Sequence, residues 1–110
     1  MLSKSLELIT QAKQLQEEAA VLAWSATTTA TRFVLTELKL GLQFIAMARH
    51  SYEQNKHSAG HRQETEAIKA HRSVLKFLSH ANPTPEQLTI IDSKLAELES
   101  AINDLRRTHP

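Results

Sequence analysis

The sequence predicts an all-α fold, an antiparallel four-helix bundle, and three observations support this prediction. The chain has only 2 Gly and 3 Pro among 110 residues, so turns are few and the elements between them are long. Apolar residues recur every three or four positions, which is the period of one helix face. A content of 41% hydrophobic and 23% charged residues is typical of a globular domain. We expect a single helical domain over residues 1–110, with helices at about 3–24, 30–55, 61–81 and 85–107.

The first predicted helix carries an apolar stripe in which Leu and Ala alternate at spacings of four and three. Its members are Leu8, Ala12, Leu15, Ala19, Leu22 and Ala26. Such a stripe is buried against a neighbouring helix, and its small alanines allow that helix to approach closely.

Residues 25–31, SATTTAT, leave two arrangements open. Their four Thr and one Ser lower helix propensity, because the Thr side chain loses freedom in a helix and its hydroxyl competes for backbone hydrogen bonds. However, no Gly or Pro stops a helix here, and the apolar stripe stays in phase across the segment. The segment is therefore either the turn of a helical hairpin or part of one helix over residues 3–56. In the second arrangement, the long helix and two shorter helices complete their bundle by dimerisation.

The stretch 33–48 is the most apolar part of the chain, with 11 apolar residues of 16. On a helix these residues cover roughly 260° of the circumference, whereas an ordinary surface helix has an apolar stripe of about 100°. The stretch must therefore be covered on several sides, by its own chain or by another. Gly41 lies in the middle of it, where glycine costs up to about 1 kcal/mol relative to alanine, which indicates close packing against a neighbouring helix.

The third helix is expected to begin at His61, because Gly60 suits the position just after the end of a helix. Its predicted inner face consists of Ala67, Ile68, His71, Val74, Leu75 and Leu78. In the fourth helix, Thr84 and Gln87 form the pattern of a capping box, with Pro85 at the first helical position. Its apolar residues follow a heptad spacing, typical of near-parallel helix packing: Leu88, Ile91, Leu95, Leu98, Ile102 and Leu105.

Composition and charge exclude several classes of protein. The net charge of +1 gives no overall attraction to nucleic acid or to a membrane surface. The chain has no Cys, which excludes disulfides, thiolate metal sites and cysteine nucleophiles. No signal peptide is visible in the sequence. A helix needs about 18 uncharged residues to cross a membrane, and no run in the sequence is that long. We therefore expect a soluble, cytoplasmic protein without membrane contact.

Histidines offer two candidate sites. His50, His57 and His61 would share one face of a continuous helix and could bind a divalent metal, but we interpret them as solvated residues near helix ends. His71 lies on an apolar face and needs a hydrogen-bond partner, for which Glu37 is the expected candidate. This pair would be structural; the alternative is acid/base chemistry or histidine-based phosphotransfer at His71.

A basic stripe on the third helix is the remaining candidate site. Its members, Arg62, Lys69, Arg72 and Lys76, could bind the phosphates of an anionic ligand or a nucleic acid. The neighbouring glutamates dilute this charge, and few aromatic residues are available to stack on bases.

The leading functional hypothesis is a non-catalytic module for helix–helix interaction or oligomerisation. It rests on the surplus apolar surface of residues 33–48 and on the apolar stripes of the first and last helices. The expected partner is a second copy in a homodimer, or another protein, and no cofactor is expected. The sequence contains no motif that identifies a reaction.

Overall fold

In the computed structural model, the described backbone of residues 2–110 forms three helices and no strand. Side chains are described for residues 7–17 and 27–110. Helix α1 runs over Leu2–Glu53, α2 over His57–Leu78 and α3 over Pro85–Thr108. The all-α fold class is confirmed, and the packing of the helices is compatible with a helical bundle of elongated shape.

Residues 25–31 continue the helix, so the two N-terminal segments expected at 3–24 and 30–55 are one element of 52 residues. Of the two arrangements that the sequence left open, the structure therefore has the one with a single long helix. The threonines are compatible with it because their hydroxyls can bond within the helix. Thr31 Oγ1 donates to the Thr27 carbonyl at 3.0 Å and also accepts a hydrogen bond from the Asn82 backbone N–H at 3.0 Å.

The molecule is a rod with a bundle at one end. Its longest dimension is 80 Å. This is close to the length of α1, because a helix of 52 residues is expected to be about 78 Å long. Helices α2 and α3 pack on the C-terminal half of α1, where buried α1 residues run from Ala30 to Tyr52. We call residues 2–26 the arm; its described side chains, residues 7–17, are all exposed.

The turn between α1 and α2 corrects the expected role of Gly60. Asn55 has φ 59°, the left-handed conformation that ends a helix, and α2 begins at His57. Asparagine tolerates this conformation better than other non-glycine residues. Gly60 instead lies inside α2, where a Cβ atom would come 2.6 Å from Cε1 of Tyr52. The glycine is needed for contact with an aromatic ring rather than for a turn.

The core lies between the C-terminal half of α1 and the two other helices. Its largest fully buried side chains are Leu38, Ile91, Leu98, Val34 and Val74. The expected close packing at Gly41 is confirmed, because a Cβ atom there would lie 2.9 Å from Leu98 Cδ2 and 3.3 Å from Ala70 Cβ. Two residues assigned to inner faces are largely exposed, Leu75 at 50% and Leu88 at 43%. Leu75 lines the open cleft between α2 and α3.

The capping box at the start of α3 is confirmed. Thr84 Oγ1 accepts from the Gln87 N–H at 3.2 Å, and Gln87 Oε1 accepts from the Thr84 N–H at 2.9 Å. We expect Thr84→Ala to lower the free energy of unfolding by about 1 kcal/mol, because the Gln87 N–H loses its acceptor while the bond from the backbone N–H of residue 84 to Gln87 Oε1 remains. Urea denaturation followed by circular dichroism measures the loss. The exposed Thr89→Ala is the matched control, and an equal loss in both variants would contradict a capping role.

Within the described part of the chain, no helix has an apolar stretch long enough to cross a membrane.

Candidate interaction surface

One face of α1 carries large apolar side chains that the rest of the chain leaves at least one third exposed. Its described members occupy two positions of a seven-residue repeat: Leu8, Ala12, Leu15, Phe33, Leu40 and Met47. We call this set the α1 seam. Its residues fall within about 100° of the helix circumference. Leu8 and Leu15 are 67% and 66% exposed, and Met47 is 48% exposed.

The bundle leaves the α1 seam open because α2 and α3 pack against another side of α1. The large covered α1 residues, Val34, Leu38, Ile45 and Tyr52, are centred about 100° away around the helix. In the hairpin arrangement, the first helix would have folded back to cover more of α1. Since the arm continues straight, Phe33 and Leu40 remain 37% and 39% exposed. The remaining members of the N-terminal stripe, Ala19, Leu22 and Ala26, lie outside the described side chains.

The edge of the α1 seam is held by contacts with α2. The Phe33 ring packs edge-to-face against Phe77, with the ring centroids 4.8 Å apart. Lys76 Nζ lies 5.6 Å from the centroid of the Phe77 ring. Phe44 packs against the core and is half-buried. The apolar surface is therefore anchored at Phe33 rather than formed by mobile side chains alone.

His71 pairs with a different carboxylate from the one expected. Its Nε2 lies 2.9 Å from Oε1 of Glu99 on α3, whereas the sequence suggested Glu37 of α1. Glu37 lies half-buried on α1. The correction follows from helix packing, since α3 approaches α2 on the side where His71 points. The contact joins α2 to α3, as a structural pair would, and catalysis or phosphotransfer at His71 stays an untested alternative.

The basic residues of α2 have different neighbours. Lys69 Nζ pairs with Glu66 Oε1 at 3.2 Å, and Lys76 lies over Phe77. Of the four, Arg72 lines the open cleft between α2 and α3, together with Arg106 and the acidic Glu99. Arg62 is exposed. Binding of an anionic ligand or a nucleic acid by this face stays a prediction.

The three histidines proposed as metal ligands lie at the turn end of the bundle. His50 and His57 are exposed, and His61 Nδ1 lies 3.0 Å from the hydroxyl of Tyr52. Among the described side chains, no group of three His, Asp or Glu residues is placed to hold a metal ion.

A buried cluster around Tyr52 was missed at the level of the sequence. The Tyr52 hydroxyl donates to Glu64 Oε2 at 3.3 Å, and the Tyr52 ring stacks on His109 with centroids 3.7 Å apart. Glu64 is 7% exposed, and its Oε1 has no hydrogen-bond partner. The cluster ties the end of α1 to α2 and to the residue that follows α3. Gly60, which makes room for the Tyr52 ring, was the one signal in the sequence.

The Tyr52 hydroxyl also predicts a dependence of stability on pH. Burial raises the pKa of Tyr52 above its usual value of 10.0, and the charge and hydrogen bond of Glu64 raise it further. The folded state therefore keeps this proton at a pH where the unfolded state loses it. The resulting stabilisation is complete below about pH 10 and is lost as the pH rises through the pKa of the folded state.

We expect Tyr52→Phe to be less stable than the parent protein by about 1–2 kcal/mol at neutral pH, because Glu64 loses a hydrogen-bond donor. The difference should stay constant below about pH 10 and shrink as the pH rises from about 10 to about 12. Guanidinium denaturation of both proteins at several pH values measures it. A difference that stays constant over this range would show that Tyr52 does not titrate as the burial implies.

Comparison of the chain with protein-family models, with curated protein sequences and with solved structures finds no match.

Proposed function

We propose that the chain is a non-catalytic module that associates through helix faces, with the α1 seam as its contact surface. The observation that carries the proposal is that two groups of large apolar side chains at seven-residue spacing, Leu8 with Leu15 and Phe33 with Leu40 and Met47, stay at least one third exposed on α1. Large exposed apolar patches mark interaction sites in soluble proteins, whereas single exposed apolar residues do not.

The arm supports the proposal on energetic grounds. Helices in proteins derive most of their stability from packing of an amphipathic face, and short isolated helices are marginal in water. The described arm side chains are exposed along residues 7–17, so contacts within the chain do not supply that stability there. Burial of one leucine side chain is worth about 1.5–3 kcal/mol. A partner that covers Leu8 and Leu15 would therefore stabilise the arm as a helix.

The absence of cysteine suits a reducing compartment, and we propose that the association takes place in the cytoplasm.

Static light scattering of the purified chain, from low micromolar to submillimolar concentration, tests self-association. We expect a molar mass that rises from the 12.4 kDa of one chain toward twice that value. The rise should survive high salt, because apolar burial rather than charge drives it. A mass that stays at one chain over the whole range, with no binding of a dye specific for apolar surface, would contradict the proposal.

A further inference from the structure

We propose, building on the function proposed above, that the partner of the α1 seam is the arm of a second copy of this chain. The two α1 helices would run antiparallel, related by a twofold axis at the bond between Thr27 and Thr28. Each arm would then lie along the exposed apolar face of the other copy's bundle. The proposal rests on the positions that this axis places opposite each other.

The large apolar residues change heptad position between the two halves of α1. If the heptad is written a to g, Leu8 and Leu15 occupy d positions, whereas Phe33, Leu40 and Met47 occupy a positions. In an antiparallel pair of helices, a residues of one helix pack in layers with d residues of the other. The change of position is therefore what an antiparallel pair needs to bring large residues together.

The proposed axis matches these residues one to one. It places Leu8 opposite Met47 of the second copy and Leu15 opposite Leu40, and by sequence position it also places residue 22, a leucine, opposite Phe33. Between these apolar pairs, the same axis places a small residue opposite a polar one, as for Ala12 and Gln43. A slip of one heptad in one direction sets Phe33 opposite Thr29, and a slip in the other direction sets residue 22, a leucine, opposite residue 26, an alanine.

The residues beside the layers favour the antiparallel direction over the parallel one. In an antiparallel pair, e residues face e residues and g residues face g residues, so Ile9 meets Phe44 of the second copy. The exposed Lys39 then meets residue 18, a glutamate in the sequence. In a parallel pair, g residues face e residues, and Lys39 would lie against Phe44. The antiparallel register thus gives an apolar contact and an opposite-charge pair, whereas the parallel one gives Ile9 no apolar partner and Lys39 no carboxylate.

Cysteine cross-linking tests the register directly, because the natural chain contains no cysteine. Leu15→Cys and Leu40→Cys are purified separately, checked for dimer mass by light scattering, then mixed to exchange subunits and mildly oxidised. We expect cross-linked dimer to be about tenfold more abundant in the mixture than in either variant alone, since a disulfide needs Cα atoms within about 7 Å. Ala12→Cys mixed with Gln43→Cys repeats the test without replacing a large apolar residue.

The matched control is Leu8→Cys mixed with Leu40→Cys, which the proposed register separates by one heptad, or about 10 Å along the axis. Cross-linking of this control, or of Leu15→Cys with itself, would overturn the register or the direction while leaving self-association standing. Dimers that cross-link in none of the mixtures would show that another face mediates association, which also overturns the inference. Only a parent chain that stays monomeric would remove the proposed function together with it.

Discussion

Replacement of Leu98 by alanine is expected to lower the free energy of unfolding by about 3 kcal/mol. Leu98 is fully buried on α3, and its methyl groups lie against Gly41 of α1. The variant loses the burial of several carbon atoms and leaves a cavity that a glycine on the facing helix cannot fill. Urea denaturation at a fixed protein concentration measures the effect, since self-association would make the apparent stability depend on concentration.

Leu75→Ala is the matched control for this prediction, because it removes the same atoms from a side chain that is 50% exposed. We expect it to cost less than about 1 kcal/mol. Equal losses in the two variants would mean that Leu98 does not lie in the core that joins α3 to α1.

Leu40→Glu is expected to weaken self-association by at least about 100-fold while leaving the bundle folded. Leu40 is 39% exposed in the single chain, so a glutamate there keeps its contact with water. In the proposed dimer, the same position lies in an apolar layer of each subunit, and the twofold axis places two carboxylates in the interface. An unpaired charge in such a layer is strongly unfavourable. Sedimentation equilibrium gives the dissociation constant, and circular dichroism checks the helix content.

The control variant is Leu75→Glu, which adds the same charge at an exposed leucine of α2 outside the α1 seam. We expect its dissociation constant to stay within about threefold of that of the parent chain. If Leu75→Glu dissociates the protein and Leu40→Glu does not, the contact surface lies on the cleft between α2 and α3 instead.

Local sequence patterns predicted a helix boundary correctly where a specific capping motif marks it. The capping box at Thr84 and Gln87 gives the start of α3 correctly, because a few side-chain hydrogen bonds decide where that helix begins. Residues 25–31 are different, since the helix propensities of Thr and Ser differ from those of good helix formers by tenths of a kcal/mol per residue. Such differences do not decide between a turn and a continuous helix. The segment alone also does not show the contacts that reach it from elsewhere, such as the hydrogen bond from the Asn82 N–H to Thr31 Oγ1.

The sites were predicted less well than the fold, because they depend on which helices meet. Gly60 was assigned to a helix end on its residue type alone, but its role follows from the Tyr52 ring that packs on it. His71 was expected to need a partner and has one, yet the choice of Glu99 over Glu37 depends on where α3 lies. The sequence did show that residues 33–48 have more apolar side chains than one helix face needs. Those that stay exposed in the structure, Phe33, Leu40 and Met47, belong to the α1 seam.

The distance between spin labels on two copies of the chain tests the central claim most directly. Lys13→Cys carries the label on an exposed arm position that lies outside the α1 seam. An antiparallel pair with its axis at the Thr27–Thr28 bond places the two labelled backbones about 45 Å apart, as measured by pulsed dipolar spectroscopy. We expect one distance maximum near that value. A maximum below about 25 Å would indicate a parallel pair, and the absence of any dipolar signal at concentrations where the chain should be dimeric would contradict association through α1 altogether.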